Sequence, residues 1–143
     1  MKIVINKCYG GFGLSHEAIM RYGEIKGISI YPIVEIRELK SFKDRDRKYK
    51  LYDPDTYGEE PFIIYYTTAP LNSDGTYSAE NWISEYDFER NDPALIQTIE
   101  ELGEKANGSC AKLKIVEIPD GVDYEIEEYD GREHIAESHR VWN

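Results

Sequence analysis

Apolar and polar residues follow one another with a changing period along the chain, and the changes divide it into short elements. Residues 2–8 form an apolar run that predicts a buried strand. Apolar side chains at helical spacing then predict a helix up to Lys26, with Ser15 as its N-cap. Residues 62–68 are almost entirely β-branched or aromatic, which predicts a central strand. A second amphipathic helix is predicted over residues 93–106, with Asp92 as its N-cap.

The C-terminal third predicts antiparallel strands. Residues 111–118 and 122–128 alternate between apolar and polar positions, and another strand follows the pair Asp130-Gly131, a preferred sequence for a two-residue hairpin turn. With an extended stretch at 28–39, the predicted order is β-α-β-β-α-β-β-β. We therefore predict an α+β fold with a mixed or mainly antiparallel sheet and two main helices.

A single domain is predicted over residues 1–143, because the chain is long enough for one core and short for two. Dense, mixed charges predict an exposed charged loop or hairpin at 40–60. A cluster of turn residues followed by scattered aromatics predicts a variable loop or lid at 70–91.

The charge of the chain is acidic and unevenly distributed. There are 17 Lys and Arg against 28 Asp and Glu, a formal net charge of −11, which argues against direct binding to nucleic acid or to an anionic membrane surface. Residues 1–50 hold 11 basic and 6 acidic residues, so the remaining 93 hold 6 and 22. Such asymmetry is compatible with a phosphate ligand on the basic segment, with pairing of unlike faces in a homo-oligomer, or with an ordinary solvated surface.

No apolar run approaches the roughly 18 residues of a membrane helix, so no membrane partner is expected. The short apolar run after Lys2 ends at polar Asn6, and we expect no secretory signal. Cys8 and Cys110 are therefore expected to be reduced thiols.

Three glycines mark the junction between the first strand and the first helix, in the sequence C-Y-G-G-F-G-L-S. No Gly-Lys-Ser or Gly-Lys-Thr follows, and His16 stands where a dinucleotide fingerprint has its third glycine. Backbone N–H groups near a helix N-terminus can hold a phosphate or carboxylate. The simpler interpretation is that the chain needs a tight strand-to-helix turn here.

Residues for catalysis or metal binding are sparse. His134 and His139, with Cys8 or Cys110, do not form a metal-ligand spacing, and nothing in the sequence places the Cys8 thiol near a histidine. We therefore predict no metal, no cofactor, no catalytic residue and no enzymatic activity.

Arginines in the acidic part of the chain are the remaining candidates. Arg90, Arg132 and Arg140 either pair with carboxylates or clamp a phosphate, and nearby Trp82 and Trp142 are suited to stacking on a base. The candidate ligand-binding residues are Tyr9, Gly10, Gly11, Phe12, Trp82, Phe88, Arg90, Asn91, Arg132, His134, His139, Arg140 and Trp142.

Three stretches of the chain, Lys2–Ser15, Asp92–Gly108 and Ile115–Trp142, resemble a family of small bacteriophage and prophage proteins. The resemblance covers both ends and leaves residues 28–88 as the divergent middle. It implies a small phage accessory protein that works in the cytoplasm of the host bacterium.

In size and character the chain is similar to phage sponges, such as the Thoeris anti-defence proteins that bind cyclic ADP-ribose isomers and related binders of cyclic oligonucleotides. This similarity implies an oligomeric protein that sequesters a nucleotide immune signal without cleaving it. Three alternatives stay open: an acidic inhibitor that imitates nucleic acid and occupies a host defence nuclease, a small nucleotide-processing enzyme, and an assembly or regulatory protein of the phage.

Overall fold

The computed structural model describes residues 1–36, 47–57, 61 and 63–138. The chain divides into two compact units: a terminal unit, Met1–Lys26 with Glu85–Asn143, and a middle unit, Gly27–Ser84. In chain order the strands are β1 (Lys2–Asn6), β2 (Tyr31–Glu35), β3 (Tyr49–Leu51), β4 (Tyr65–Thr67), β5 (Trp82–Ile83), β6 (Leu113–Glu117), β7 (Tyr124–Tyr129) and β8 (Arg132–Glu137), and the helices are α1 (His16–Lys26), α2 (Pro54–Tyr57) and α3 (Pro93–Leu102).

The predicted α+β class is confirmed, with antiparallel pairing of the strands and two main helices, α1 and α3. β3, the four-residue helix α2 and the two-residue strand β5 add to the predicted order. The strands do not form one sheet: β1 pairs with β6, β7 with β8, and the middle unit has its own sheet in the order β3-β2-β4-β5. Alternation along a strand predicts which face is buried, but it does not specify the neighbouring strand.

The core of the terminal unit is built around β1. Ile3, Val4 and Ile5 are at most 2% exposed, so this strand is buried on both faces. Apolar side chains of α1 and α3 complete the core, among them Ile19 and Leu95. The continuous apolar run that predicts a buried strand at 2–8 is explained by this position.

Both main helices begin at the predicted caps. The Ser15 hydroxyl accepts from the N–H of Ala18 at 3.1 Å, and the Asp92 carboxylate accepts from the N–H of Ala94 at 2.9 Å. Each cap satisfies one of the N–H groups that a helix leaves unpaired at its start. The helices are further linked by Arg21 of α1, whose Nε lies 2.7 Å from a carboxylate oxygen of Glu101 in α3.

The middle unit is an antiparallel four-stranded sheet with tyrosines on it. The predicted central strand at 62–68 is seen as β4, which lies between β2 and β5. The Tyr49 ring meets those of Tyr65 and Tyr77 edge-on, with centroids 5.7 and 5.2 Å apart. Burial raises the pKa of Tyr49, and its tyrosine neighbours add to the effect.

The two predicted loop segments contain some regular structure. Within 40–60, the described residues form β3, which pairs antiparallel with β2, and α2; residues 40–46 and 58–60 lie outside the described part. Within 70–91, a turn at Gly75 with φ 83° precedes β5 and two short 3-10 segments.

Asp92 makes the stability of the terminal unit sensitive to acid. Burial opposes ionisation of this carboxyl, but hydrogen bonds from the Lys26 ammonium (2.7 Å), the Tyr22 hydroxyl (2.8 Å) and the Ala94 N–H outweigh it and lower its pKa below the usual 3.8. A carboxyl with a lowered folded-state pKa stabilises fully above its unfolded value, and this contribution is lost as the pH falls through the folded value. We therefore expect Asp92→Asn to reduce stability at pH 7 and to flatten the loss of stability below about pH 4, as measured by urea unfolding across pH.

Glu85 provides a control of opposite sign. Burial raises its pKa, with the N–H of Leu14 acting against this at 3.3 Å, so its charged form is disfavoured in the folded state. Glu85→Gln should therefore raise stability at pH 7, and it should not reduce the loss of stability below about pH 4. If Asp92→Asn loses stability at acid pH to the same extent as wild type, the assignment of this acid sensitivity to Asp92 is wrong.

Candidate functional site: the hairpin-tip pocket

The β7–β8 hairpin sets the geometry of the site. Its turn is the predicted pair Asp130-Gly131, with φ values of 51° and 89°, which are the positive angles of the tight hairpin turn. The register places Tyr129 opposite Arg132 and Glu127 opposite His134. Because side chains alternate along a strand, these four project from one face of the hairpin, and Glu133 projects from the other.

The hairpin tip packs against the glycine corner, which is the glycine-rich segment 8–15 between β1 and α1. A side chain at Gly131 would overlap the backbone of Gly11 and would come within 2.7 Å of the Tyr9 carbonyl oxygen. A side chain at Gly10 would overlap Cys110 in the same way. These glycines are therefore required for close approach of backbone segments, and their packing brings Tyr9 next to the hairpin.

Between the corner and the hairpin lies a hollow of about 290 Å³, the hairpin-tip pocket. Its lining residues are Lys7, Tyr9, Tyr129, Arg132, Glu133 and His134. The two tyrosine rings are open to solvent, with 56% of Tyr9 and 77% of Tyr129 exposed. The Arg132 guanidinium carbon lies 5.7 Å from the centre of the Tyr9 ring, and its Nη1 lies 3.5 Å from the Tyr9 hydroxyl.

The charges around the pocket leave two cations available. In the described part of the chain, no carboxylate lies within 4 Å of the Lys7 or Arg132 side-chain nitrogens. Glu133 is held by Arg90, with both carboxylate oxygens bound, and Glu127 binds His134 Nε2 at 2.9 Å. The arrangement suits an anionic group near Lys7 and Arg132 and a flat ring near the tyrosines.

Three of the predicted ligand-binding residues, Tyr9, Arg132 and His134, come together in this pocket. Gly10 and Gly11 are not among its lining residues and instead pack closely against Cys110 and Gly131. Tyr9 is 123 positions from Arg132 in sequence, and the packing of the hairpin against the first turn brings the two sides of the pocket together.

Other predicted residues have partners inside the terminal unit. Phe12 is buried beneath Arg90, whose guanidinium carbon lies 3.6 Å from the ring centre. Phe88 stacks on Tyr22 with centroids 4.1 Å apart. These contacts explain the aromatic residues near Arg90 by packing.

The remaining predicted residues are dispersed. Asn91 lies 3.9 Å from the sulfur of Met1, and Trp82 belongs to the middle unit, where it is 46% exposed. His139, Arg140 and Trp142 lie outside the described residues.

Sequence reasoning did not select Lys7, Tyr129 or Glu127. Tyr129 and Glu127 could have been identified from the sequence, because a two-residue turn at Asp130-Gly131 places Tyr129 opposite Arg132. Lys7 has no such signal, since its place follows from how the end of β1 meets the hairpin.

Two larger hollows are less suited to an anion. One of about 560 Å³ includes Arg90, but its cation is bound by Glu133, and Asp87, Glu89 and Glu128 also line it. Another of about 580 Å³ contains Pro93 and Ile96 and is mainly apolar, with Lys2 of its rim paired to Glu100.

Among the described residues, no three His, Cys, Asp or Glu side chains are grouped as a metal site. No helix there combines the length and the apolar character needed to cross a bilayer. Comparison with models of protein families, with curated proteins and with solved structures finds no match for this chain.

Proposed function

We propose that this protein binds a nucleotide in the hairpin-tip pocket and sequesters it intact, as a phage-encoded anti-defence protein that removes a nucleotide immune signal. The observation that carries the proposal is that two cations, Lys7 and Arg132, line the same pocket as the exposed rings of Tyr9 and Tyr129. Neither cation has a carboxylate partner among the described residues. The two cations suit a phosphate, and the two rings suit a base.

Typical energies are known for both kinds of contact, the hydrogen bonds to a phosphate and the stacking of a base. A hydrogen bond to a charged group contributes about 1.5–3 kcal/mol, and Arg132 can present two parallel N–H groups to a phosphate. Stacking of a base on an aromatic side chain contributes about 1–3 kcal/mol. Both contributions favour retention of a small ligand in a protein whose net charge of −11 otherwise repels anions.

The test is native mass spectrometry of the protein after incubation with a small-molecule extract of infected cells, followed by denaturation and identification of the released ligand. We expect an intact nucleotide to be retained and released unchanged. Arg132→Glu should weaken binding of that ligand at least tenfold in calorimetry, because the reversed charge removes the phosphate contacts.

Lys114→Glu is the matched control. Lys114 is an exposed lysine of β6 in the same unit and lies outside the lining of the pocket. Its replacement by Glu changes the net charge by the same amount as Arg132→Glu does. Equal weakening in both variants would mean that general charge, and not the pocket, attracts the ligand. Capture of a protein from a whole lysate of infected cells, with no nucleotide retained from the small-molecule extract, would favour the acidic inhibitor.

A nucleotide-processing enzyme is the second candidate, because one contact favours it. The Glu127 carboxylate lies 2.9 Å from His134 Nε2, and a carboxylate that orients an imidazole is the usual companion of a histidine general base. The same experiment separates the two functions. Release of a cleaved nucleotide that becomes intact in His134→Ala would establish the enzyme and reject the sponge.

A further inference from the structure

We infer that the hairpin-tip pocket selects a single nucleotide unit that carries two negative charges in one group, a phosphate monoester or a diphosphate, and rejects cyclic oligonucleotides. This inference rests on the proposed function and narrows its ligand class. It follows from the number of unpaired cations and from the size of the hollow.

Lys7 and Arg132 bring two positive charges to the pocket. Both line the pocket, and in the described part of the chain neither has a carboxylate within ion-pair distance. A phosphate monoester carries a charge of about −1.5 to −2 at pH 7, whereas a diester carries a single charge. Two cations beside one hollow therefore match a monoester or a diphosphate better than one diester.

Arginine adds a geometric preference. A guanidinium donates two parallel N–H groups to two oxygens of one phosphate, and a lysine ammonium adds a point charge beside it. A terminal phosphate has three free oxygens for these donors. A diester inside a ring has two, and the ring restricts their approach.

The hairpin-tip pocket has a volume of about 290 Å³. Ligand pockets usually span roughly 300–1,000 Å³, so this one is at the lower limit. Tyr9 and Tyr129 supply ring surface for one base, and the neighbouring Glu127–His134 pair supplies polar groups for a sugar hydroxyl. A cyclic dinucleotide has two bases and two separate diesters, so its second base and second diester would find no matching ring or cation in this pocket.

The test is calorimetric titration of the full chain with five adenine probes that differ in the phosphate: adenosine, adenosine 5′-monophosphate, ADP-ribose, 3′,5′-cyclic AMP and cyclic di-AMP. We expect the monophosphate, ADP-ribose or both to bind at least tenfold more tightly than cyclic AMP and cyclic di-AMP. The stronger of the two identifies the monoester or the diphosphate as the preferred group. In Lys7→Gln and Arg132→Gln this preference should fall at least threefold, whereas Lys114→Gln should retain it.

The outcomes separate the inference from the proposed function. If cyclic di-AMP or cyclic AMP binds as tightly as the monophosphate and ADP-ribose, and Arg132→Gln still weakens it, the pocket binds nucleotides and the inference is wrong. If no probe binds, or if binding is indifferent to Lys7 and Arg132, both fail.

Discussion

Arg90→Met is expected to destabilise the terminal unit by about 3–5 kcal/mol, because it leaves a carboxylate buried without its cation. Glu133 is 5% exposed, and its two oxygens accept from Arg90 Nη1 at 2.7 Å and Nη2 at 2.9 Å. The substitution also removes the guanidinium from the face of Phe12. Urea unfolding followed by circular dichroism measures the loss, and amide exchange in β1 assigns it to this unit.

The loss should be large because this ion pair completes the pairing of β1. One edge of β1 is hydrogen-bonded to β6. At the other edge, Val4 N–H donates to the Arg90 carbonyl at 2.9 Å, and Asn6 N–H donates to Glu133 Oε1 at 2.8 Å. Arg90 Nη1 also donates to the Val4 carbonyl at 3.2 Å. The Arg90 backbone carbonyl and the side chains of Arg90 and Glu133 thus take the place that another strand would occupy beside the buried part of β1.

A double-mutant cycle distinguishes this role from simple loss of packing. Glu133→Gln keeps an oxygen for Asn6 N–H, so Arg90→Met with Glu133→Gln should lose less stability than the two single changes added together. Lys2→Met is the exposed control, since its pair with Glu100 at 3.1 Å is half exposed on both sides and should contribute less than about 1 kcal/mol. Additive single changes at Arg90 and Glu133 would contradict the ion-pair explanation.

Asn6→Ala is expected to destabilise the terminal unit by at least about 3 kcal/mol, because it leaves several backbone groups without partners at once. The side chain is fully buried, and its Nδ2 donates to the carbonyls of Cys8 (2.7 Å) and Gly131 (2.8 Å). Its Oδ1 accepts from the N–H groups of Lys112 (2.9 Å) and Cys8 (3.2 Å). One amide therefore joins the end of β1, the start of β6 and the hairpin turn.

If the proposed function is correct, this substitution should also weaken nucleotide binding, because Gly131 adjoins the pocket residue Arg132. Asn6→Asp gives a sharper test: its carboxylate faces the two carbonyl oxygens, so the variant should be more stable at pH 4 than at pH 7 relative to wild type. Asn72→Ala is the control, since the Asn72 amide bonds Thr76 at 3.1 Å in an exposed turn and should matter little. A loss at Asn6 no larger than that at Asn72 would contradict this role.

The hydrophobic pattern identified the two main helices and most strands because these depend on neighbours in sequence. The caps at Ser15 and Asp92 and the turn at Asp130-Gly131 were predicted for the same reason: each is determined by backbone conformation over a few residues. Strand partners were not predictable in this way, since the terminal unit pairs β1 with β6 across more than a hundred residues.

The candidate site shows the same division between local and long-range information. Tyr9, Arg132 and His134 were selected as residue types suited to a nucleotide, and they meet in one pocket. Arg90 was selected by the same criterion, but its guanidinium is bound to Glu133, and nothing in the local sequence distinguishes it from Arg132.

The sequence by itself determined the α+β class, the two main helices and the tight hairpin, because their hydrophobic periods, caps and turn residues act over a few positions. The tertiary structure alone decided which arginine has a buried carboxylate and which remains available to a ligand. It also decided that the glycines serve close packing of the hairpin against the first turn. Such assignments depend on contacts between residues about 40 to 130 positions apart, which no local pattern encodes.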